Sequence, residues 1–472
     1  MRQIEARSIE AMKRVNERAA GIDIGATEHY VCVPEDAVPD CGSAVRAFAA
    51  WTRDLDQLVE WLQRCKVTTV AMESTGVYWL PLAQKLEAAG IDFVLVNARH
   101  LKCVPGRKTD VHDCQWLQQL HSYGLLHGSF RPSAQIGVLR ALMRHRENLT
   151  HSAAQHLQHM QKALDLMNVH LHRAVSDLNG ETGLRIIDAI LAGQRDPKEL
   201  VKLRDSQCRK TTPEELEAAL EGDWRREHLF ALKQATESYR HFLKQQEACD
   251  QEVKKVLDVL VASAEESKGD APPLPSPAFT PTPSSKKRKP KKFYARKNGT
   301  GLKTDLTKEL QRICGVDLTQ ITGLHVLGVL IILSEIGLDM SRWRNHRAFS
   351  AWLGLCPGNK ISGGKVLSSH TVGVVNRVAT LLRTVAPSVG ASDTWLGSFH
   401  RRMRARLGPA AANTATAHKL ATLIYHLLKY RENYIDYDRL AYEARVHTNR
   451  MKRLKKQAQE LGLDLVAKQQ AA

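Results

Sequence analysis

Two aspartates, Asp110 and Asp113, stand three residues apart in the segment GRKTDVHDCQWL, where a helical pattern begins. Residues three apart share one face of a helix, so the two carboxylates project to the same side, and Val111, Cys114 and Leu117 repeat at the spacing of a buried stripe. Two carboxylates this close repel each other unless a cation or a proton lies between them. Taken alone, the segment is equally compatible with the solvated first turn of a helix, where the helix dipole favours aspartate.

Two further acids lie in apolar strand patterns upstream. Asp23 is flanked by Ile22 and Ile24 in the strand–turn–strand pattern AGIDIGATEHYVCV, so its side chain faces away from theirs. A lone carboxylate in an apolar strand is costly unless it is paired or binds a metal. Glu73 ends the strand pattern in VTTVAMESTG, at the edge where open α/β sheets place their sites, although an acid that starts a helix would give the same pattern.

The first 125 residues predict the sheet that would bring these acids together. Three hairpin-connected strands are followed by helix and strand in alternation, which is the order of an RNase H-like sheet with its first and fourth strands side by side. A later helix carrying Asp110 and Asp113 would then pack over the ends of those strands. Four converging acids supply the hard oxygen ligands of divalent cations, and a pair of such cations stabilises the attacking and leaving oxygens of a phosphoryl transfer.

The middle of the chain predicts a helical stalk followed by a linker. One long helix is expected over about 136–178 and a second over about 212–263, packed antiparallel. Five histidines here lack the spacing of a metal site, and we interpret them as a polar face that contacts nucleic acid: His151, His156, His159, His170 and His172. Residues 265–300 are rich in proline, serine and lysine, which indicates an extended linker. Its basic run is interpreted as an arm that neutralises phosphates: Lys286, Lys287, Arg288 and Lys289.

A second chemical candidate lies beyond the linker. The segment GNKISGGK places Ser362 before two glycines and Lys365. An exposed serine on a flexible loop could attack phosphorus, with Lys365 stabilising the oxyanion, or the loop could cradle a phosphate without covalent chemistry. Upstream, VDLTQITGLH leads into an apolar helix over 326–336, which indicates either a helix-hairpin-helix that binds phosphate or a plain packing helix. Further helices are predicted over 372–385, 418–430 and 445–468.

Charge and cysteine content indicate the cellular compartment of the protein and the class of its binding partner. The 472 residues carry a net charge of +18 with a pI near 9.5, which indicates a polyanionic partner, and Arg107 and Lys108 add to a basic loop ahead of the paired aspartates. The nine cysteines show no paired framework, no apolar run is long enough to span a membrane, and the N-terminus lacks a secretory core. We therefore expect a cytoplasmic protein that binds nucleic acid and no membrane.

These motifs together resemble the insertion-sequence transposases of the IS-one-ten (IS110) family, from about residue 20 to residue 430. The resemblance is carried by GIDIGATEH, AMESTGVYW, GRKTDVHDCQWL, ITGLHVLGVLIILSEIG and FSAWLGLCPGNKISGGK, in the order of that family. It implies five segments: a RuvC-like catalytic domain over 18–130, a helical or coiled-coil connector over 131–264, a linker over 265–300, a mainly helical transposase domain over 301–435 and a charged helical tail over 436–472.

The resemblance also implies a mechanism and an association with the bacterial nucleoid. Asp23, Glu73, Asp110 and Asp113 match the metal-binding DEDD tetrad of the family, for Mg²⁺ or Mn²⁺, and Ser362 matches its serine nucleophile. Such proteins form a phosphoserine link to DNA, with the metal held by the acids of a partner subunit of a dimer or tetramer. A structured bridge RNA, encoded by the element, pairs with donor and target DNA and thereby chooses the sequence, a division of labour that guide-directed nucleases share.

The sequence departs from the family pattern in places, and it leaves other functions open. The stretch over 180–299 is longer than in compact members, the segment over 366–376 lacks the usual glycine-rich basic character, and Ile361 stands where a second serine is common. The main alternative is a metal-dependent nuclease or Holliday-junction resolvase that uses water as the nucleophile. The segment GIDIGAT also resembles the phosphate turn of sugar kinases and actin-like ATPases, and an inactive nucleic-acid-binding relative is the remaining possibility.

Overall fold

The computed structural model describes residues 13–39, 42–74, 76–97, 109–205, 211–266, 293, 298–369, 371, 373, 376–432, 434 and 438–464. The chain forms two compact units, Met1–Arg131 and Pro132–Ala472. Each is described separately below.

A five-stranded mixed sheet forms the centre of the first unit. The strands are β1 (Ala19–Ile24), β2 (Glu28–Cys32), β3 (Val45–Ala49), β4 (Thr69–Glu73) and β5 (Asp92–Val96), in the order β3-β2-β1-β4-β5. The first three strands are antiparallel neighbours, whereas β4 and β5 run parallel to β1. The first and fourth strands therefore lie side by side, which is the adjacency that the order of the acids predicts.

Helices cover both faces of this sheet. They are α1 (Thr52–Arg64), α2 (Trp79–Ala88) and α3 (Asp110–Ser122). The apolar residues Ile22 of β1 and Met72 of β4 join one core with Leu58 of α1 and Leu86 of α2. A smaller core on the opposite face joins Ala71 and Val96 with Leu117 of α3. Because side chains alternate along a strand, β1 and β4 each contribute to both cores.

A helical stalk forms the first half of the second unit. Its two long helices are α4 (Ala134–Leu166) and α9 (Arg226–Glu266), which pack against each other and are antiparallel, as predicted. Shorter helices close the end of the stalk: α5 (Leu171–Ala174), α6 (Glu181–Leu191), α7 (Pro197–Val201) and α8 (Pro213–Ala219).

Both long helices of the stalk are interrupted where the sequence predicts continuity. The predicted helix over 136–178 ends at Leu166, since Asn168 adopts a positive φ of 59°. The predicted helix over 212–263 divides into α8 and α9. Thr212 and Glu215 form a reciprocal capping box that starts the short α8. Asp223 then donates its backbone N–H to the carbonyl of Met167 at 2.8 Å, which fixes the break against the end of α4.

One buried ion pair holds the two long helices together. Arg146 of α4 donates from Nε to Asp250 of α9 at 2.5 Å, and its Nη2 also donates to the carbonyl of Thr300 at 3.1 Å. The two side chains are only 3% and 9% exposed. The guanidinium therefore ties both stalk helices to the segment that begins the C-terminal part of the chain.

Asp250→Ala is expected to lower the free energy of unfolding by about 3–5 kcal/mol, because it leaves the Arg146 charge buried without its partner. Urea denaturation followed by far-UV circular dichroism measures this loss. Asp188→Ala is the matched control, since Asp188 pairs with Arg240 at 2.6 Å in an exposed pair that also joins the stalk, and it should cost at most about 1 kcal/mol. Equal losses in the two variants would contradict a structural role for burial of the Arg146 pair.

The rest of the second unit is almost entirely helical. It contains α10 (Thr307–Cys314), α11 (Val326–Ile336), α12 (His346–Trp352), a small hairpin of β6 (Lys360–Ser362) and β7 (Lys365–Ser368), α13 (Arg377–Gly390), α14 (Trp395–Leu407), α15 (Pro409–Tyr430) and α16 (Arg439–Glu460). Its aromatic core includes Trp343, Phe349 and Tyr425. In the described ranges, no helix combines the length and the apolar character needed to cross a membrane.

Several predicted boundaries in this part are corrected. The helix predicted over 372–385 begins at Arg377, because the Asn376 side chain caps it by accepting from the backbone N–H groups of Val378 and Ala379. The helix predicted over 418–430 begins earlier, at Pro409. In the tail, α16 ends at Glu460, and residues 465–468 of the predicted helix lie outside the described residues.

The turn before α11 has a packing role. A 3-10 turn over Leu318–Gln320 leads to Gly323, which has a φ of +87° and whose missing Cβ would stand 2.6 Å from Cγ1 of Val385 in α13. Ile321 and Leu324 are fully buried. This packing favours the plain helix over the phosphate-binding turn considered from the sequence.

Candidate active site

Asp23 and Glu73 lie next to each other at one edge of the sheet. In the parallel pair of β1 and β4, Ile22 is opposite Met72, so the next step along both strands places the two acids at matched positions. Residues two apart on a strand face the same side of the sheet. Gly21 lies against the backbone of α3, and Ala71 shares a core with Leu117 of α3. Asp23 is two residues beyond Gly21 and Glu73 is two residues beyond Ala71, so both acids face the side that α3 covers. Both are half-buried.

The helix that carries the other two acids crosses β1 in the antiparallel direction. Ala19, near the start of β1, accepts a hydrogen bond from Nε2 of Gln118 at 3.3 Å, and Ser122 accepts from the backbone N–H of Val15 at 2.8 Å. The later residues of β1 therefore lie beside the earlier residues of α3. This direction puts the first turn of α3, with Asp110 and Asp113, at the carboxyl end of β1.

Electrostatic effects on neighbouring groups agree with this placement. The Glu28 carboxylate, which accepts a hydrogen bond from Tyr30 at 3.3 Å, raises the pKa of the Tyr30 phenol, and the charge of Asp110 adds to that rise. Tyr30 pairs with Asp23 across β1 and β2. Asp110 is exposed, whereas Asp113 is half-buried. Thr109 caps the helix by accepting from the backbone N–H of His112 at 3.3 Å, and acids in this first turn complement the helix dipole.

Close approach of α3 depends on a glycine. A Cβ on Gly21 would stand 2.2 Å from the backbone N of Gln118 and 2.4 Å from the carbonyl O of Cys114. Both are backbone atoms, so no side-chain rotation could make room. Gly21 thus sets the distance between the strand that carries Asp23 and the helix that carries Asp110 and Asp113.

Gly21→Ala is expected to displace α3 from β1 and to lower the stability of the first unit by about 1–3 kcal/mol or more. The DNA strand cleavage that the resemblance implies should fall together with stability, because the paired aspartates move with α3. A melting curve and a cleavage assay on the same preparation measure the two effects.

Gly90→Ala is the control for this prediction. Gly90 has a positive φ of 70° but open space around its missing Cβ. The Gly90→Ala variant should therefore lose stability through backbone strain while α3 stays in place. Normal cleavage by Gly21→Ala would contradict the proposed placement.

Two thiols lie beneath the site. Cys32 of β2 and Cys114 of α3 share a hydrogen bond and are almost fully buried. That hydrogen bond, burial and nearby negative charges that include Asp23 raise the pKa of the Cys114 thiol, which also donates to the carbonyl of Val111 at 3.1 Å. Both cysteines are free thiols.

The chemistry of the donors fits a divalent cation. Asp23, Glu73, Asp110 and Asp113 offer only hard carboxylate oxygens, the ligands that Mg²⁺ and Mn²⁺ prefer, and they share one end of one face of the sheet. Within the part of the chain that the structure describes, no group of three or more His, Cys, Asp or Glu side chains is arranged so that it already holds a metal ion. A bound cation would therefore have to draw the carboxylates closer, against the repulsion of like charges.

A separate polar groove lies along the other end of α3. It has a volume of about 620 Å³ and is lined by Glu35, Asp36, Gln115, Gln119 and Tyr123, among others. None of the four acids of the DEDD set lines it. The groove therefore does not belong to the candidate site.

Ser362 occupies the tip of a tight hairpin. It ends β6 and pairs with Lys365 of β7, and the two residues between them, Gly363 and Gly364, have φ angles of +55° and +75°. Positive φ at both turn positions is what a two-residue type I′ turn requires. The sequence predicts a flexible loop here, and this is corrected: the serine lies on a hydrogen-bonded β-hairpin. Directly paired residues have Cβ atoms about 5 Å apart, so the exposed Ser362 hydroxyl and the Lys365 ammonium share one face.

Several predicted nucleic-acid contacts lie outside the described residues: Arg107, Lys108, Lys286, Lys287, Arg288 and Lys289. Lys365 is described and exposed. Of the stalk histidines, His156 stacks on Phe242 with ring centroids 5.4 Å apart, and His170 and His172 both turn Nδ1 toward Asp165, at 3.8 and 3.3 Å. These contacts give three of the five histidines partners within the stalk.

Sequence reasoning missed the residues that hold α4 to the C-terminal helices. Arg140 donates to the last carbonyls of α11, at Ser334 and Glu335, and Arg144 forms a bidentate pair with the Glu335 side chain at 3.0 and 2.9 Å. Their partners lie about 190 positions away in the chain, so no local pattern could have revealed them. The i, i+4 spacing of the two arginines is the only signal that the sequence offers.

Two family matches bear on identity. Residues 20–169 match a transposase model of IS110 that carries the DEDD designation, and residues 317–414 match the model described as Transposase IS116/IS110/IS902 family. No curated protein matches the chain. The first match includes all four acids and the second includes Ser362, and together they cover more than half of the sequence. This chain is therefore a member of the IS110 family of transposases.

Proposed function

We propose that this transposase cuts and rejoins donor and target DNA through a covalent bond between Ser362 and a DNA phosphate, under the guidance of a structured RNA. The observation that carries the proposal is the placement of Asp23, Glu73, Asp110 and Asp113 at one end of one sheet face, in a strand order typical of an RNase H-like, or RuvC-like, fold. The family membership supplies the DNA-transposing context.

The covalent step is a transesterification in which atoms and charge balance. The Ser362 oxygen attacks phosphorus, the bond from phosphorus to one deoxyribose oxygen breaks, and the hydroxyl proton of the serine passes in net terms to that leaving oxygen. A serine–DNA phosphodiester forms, and a DNA hydroxyl is released. Attack by a second DNA hydroxyl on the serine ester reverses the step and joins new strands, so no external energy source is needed.

The residues of the hairpin are suited to this step. The Ser362 hydroxyl is exposed at a turn that projects it, and the paired Lys365 ammonium can stabilise the negative charge that develops on the phosphate oxygens. Both glycines adopt the positive φ that a two-residue hairpin turn needs. The paired strands on either side of the turn orient the nucleophile.

The four acids would hold Mg²⁺ or Mn²⁺. When bound, such an ion neutralises charge at the reacting phosphate and orients its oxygens. Asp23 and Glu73 are positioned by the sheet, and Asp110 and Asp113 by the first turn of α3. In the family the acids and the serine that act together belong to different subunits, so a homo-oligomer is part of the proposal.

A joining assay tests the function. The purified protein is incubated with Mg²⁺, DNA that contains the junctions of its own element and the RNA transcribed from the adjacent non-coding stretch, and joined products are sequenced. Joined strands that require the RNA are the expected result. Cleavage without joining, with or without the RNA, would instead support the nuclease or junction-resolvase alternative, in which water attacks.

A further inference from the structure

The C-terminal helix α16 leaves the body of the second unit after two turns. Tyr442 packs on Trp395 of α14 with ring centroids 5.7 Å apart, Arg439 pairs with Asp393 at 3.1 Å, and Ser398 donates a hydrogen bond to Glu443. Beyond Val446 every residue to 464 is exposed except the half-buried Ala458. At 1.5 Å per residue, the projecting part of the helix extends for roughly 20 Å.

This projecting helix carries an uncompensated positive charge. Between residues 447 and 456 there is no acidic residue, and five are basic: Arg450, Lys452, Arg453, Lys455 and Lys456. Lys452 has like charges three and four positions ahead, which costs the helix a few tenths of a kcal/mol per pair. The first acid that follows, Glu460, lies 3.9 Å from Lys456 with both side chains exposed, so it offsets little of this charge.

The positive surface continues onto the body where the helix begins. The guanidinium of Arg402 lies over the ring of Tyr442 at 5.6 Å, and the ammonium of Lys419 lies over the ring of Trp395 at 5.6 Å. Burial, with a contribution from the charge of Arg445, lowers the pKa of Lys419. Two cations on two different helices, Arg402 and Lys419, thus lie against one aromatic pair at the base of α16, and a bound anion would offset their charge.

We propose that α16, with Arg402 and Lys419 at its base, binds the phosphate backbone of a nucleic acid. An α-helix fits the major groove of duplex DNA, which is about 12 Å wide, and basic residues on several sides of the helix can reach phosphates on both walls of that groove. The surface contains none of the four acids and does not include Ser362, and its binding does not depend on the covalent chemistry proposed for them.

Other occupants fit the helix less well. A helix that lies on a membrane needs a wide apolar face with aromatic anchors, whereas residues 445–464 contain no Trp or Phe and a narrow stripe led by Met451 and Leu454. A second copy of the same helix would bring two strongly positive segments together. A polyanion complements the charge along the whole projecting length.

The test uses the full-length protein and fluorescence anisotropy with three probes of equal length: duplex DNA, single-stranded DNA and double-stranded RNA. The triple variant Lys452→Gln, Arg453→Gln, Lys455→Gln keeps good helix formers at exposed positions, so far-UV circular dichroism should be unchanged. Each lost phosphate contact lowers the slope of log affinity against log salt by about 0.9 on duplex DNA. We expect the slope to fall by roughly 2–3 and the affinity to fall about tenfold or more, and the probe with the largest loss identifies the backbone that the helix binds.

A matched control removes the same charge from exposed positions in the stalk, one just beyond α7 and two on α9. The variant Lys202→Gln, Lys254→Gln, Lys255→Gln changes lysines that each lie within 3.5 Å of a neighbouring carboxylate, at Glu199, Asp258 and Glu252. Its affinity should stay within about twofold of the unchanged protein, since surface charges already neutralised by a neighbour release few counterions. Equal weakening by both variants, or no weakening by the α16 variant with any probe, overturns the proposal.

Two further measurements exclude the other occupants. The variant Met451→Gln, Leu454→Gln disrupts the apolar stripe and should leave binding to all three probes unchanged. Sedimentation with phosphatidylserine vesicles and molar mass by light scattering should be the same for every variant. A mass change in the basic or stripe variant, with nucleic-acid binding intact, would assign α16 to self-association, and loss of vesicle binding alone would assign it to a membrane surface. Either result contradicts the proposal.

Discussion

Asp23→Asn is expected to reduce DNA strand cleavage by at least about 10²–10³-fold while the protein remains folded. Asparagine keeps the shape of the side chain and removes its charge, so the loss measures the metal-binding role of the carboxylate. A divalent ion contributes several kcal/mol to a phosphoryl transfer, and each 1.4 kcal/mol corresponds to a tenfold change in rate. Single-turnover cleavage of labelled junction DNA at saturating Mg²⁺, with melting temperature as the check on folding, provides the measurement.

Asp92→Asn is the matched control for this prediction. Asp92 is an exposed aspartate that starts β5, and it pairs with Thr69 at the opposite end of the same sheet from Asp23. Its substitution removes one negative charge from the unit without touching the predicted metal ligands. Cleavage by Asp92→Asn should therefore match that of the unchanged protein. If both substitutions reduce cleavage equally, or if Asp23→Asn cleaves normally, the carboxylate edge is not the metal site.

Ser362→Ala is expected to abolish joining altogether. Removing the nucleophile of a covalent mechanism can cost about 10⁶-fold in rate, well below detection in a joining assay. The substitution deletes a single exposed oxygen at a hairpin tip, so stability should change by no more than about 0.5 kcal/mol and DNA affinity should be unaffected. Joining measured over several hours on junction DNA with the cognate RNA, alongside binding by gel shift, separates chemistry from binding.

Ser369→Ala controls for an accessible hydroxyl nearby. Ser369 follows β7 and is exposed, seven residues from Ser362. It should retain full joining. Residual joining by Ser362→Ala that disappears in a double variant with Ser369→Ala would move the nucleophile to the neighbouring serine and refute the role assigned to Ser362.

The sequence was most informative where local pattern and function coincide. The apolar alternation around Asp23 and the strand that ends in Glu73 predicted β1 and β4. The helical pattern that begins within GRKTDVHDCQWL predicted the first turn that holds Asp110 and Asp113. The adjacency of β1 and β4 then followed from the sequence of elements alone. Few topologies are compatible with three hairpin-connected strands followed by alternating helix and strand.

Features set by long-range contacts could not be read from the sequence. The break between α8 and α9 depends on Asp223 meeting the end of α4, and the Arg146–Asp250 pair joins positions about 100 residues apart. Gly21 resembles any strand glycine until α3 is seen lying on it. The segment around Gly363 and Gly364 was predicted as a flexible loop and not as a hairpin turn, because serine, glycine and lysine are equally common in irregular loops.

The most direct measurement of the central claim is the mass of the peptide that contains Ser362 after reaction with DNA. The unchanged protein is incubated with Mg²⁺, cognate RNA and a suicide duplex whose released strand diffuses away, then denatured, digested with protease and nuclease, and analysed by tandem mass spectrometry. A nucleotide attached to Ser362, absent without Mg²⁺ and absent from Asp23→Asn, is the predicted result. Cleaved DNA with an unmodified Ser362 peptide would contradict the account, because the strand would then have been cut without the covalent serine bond.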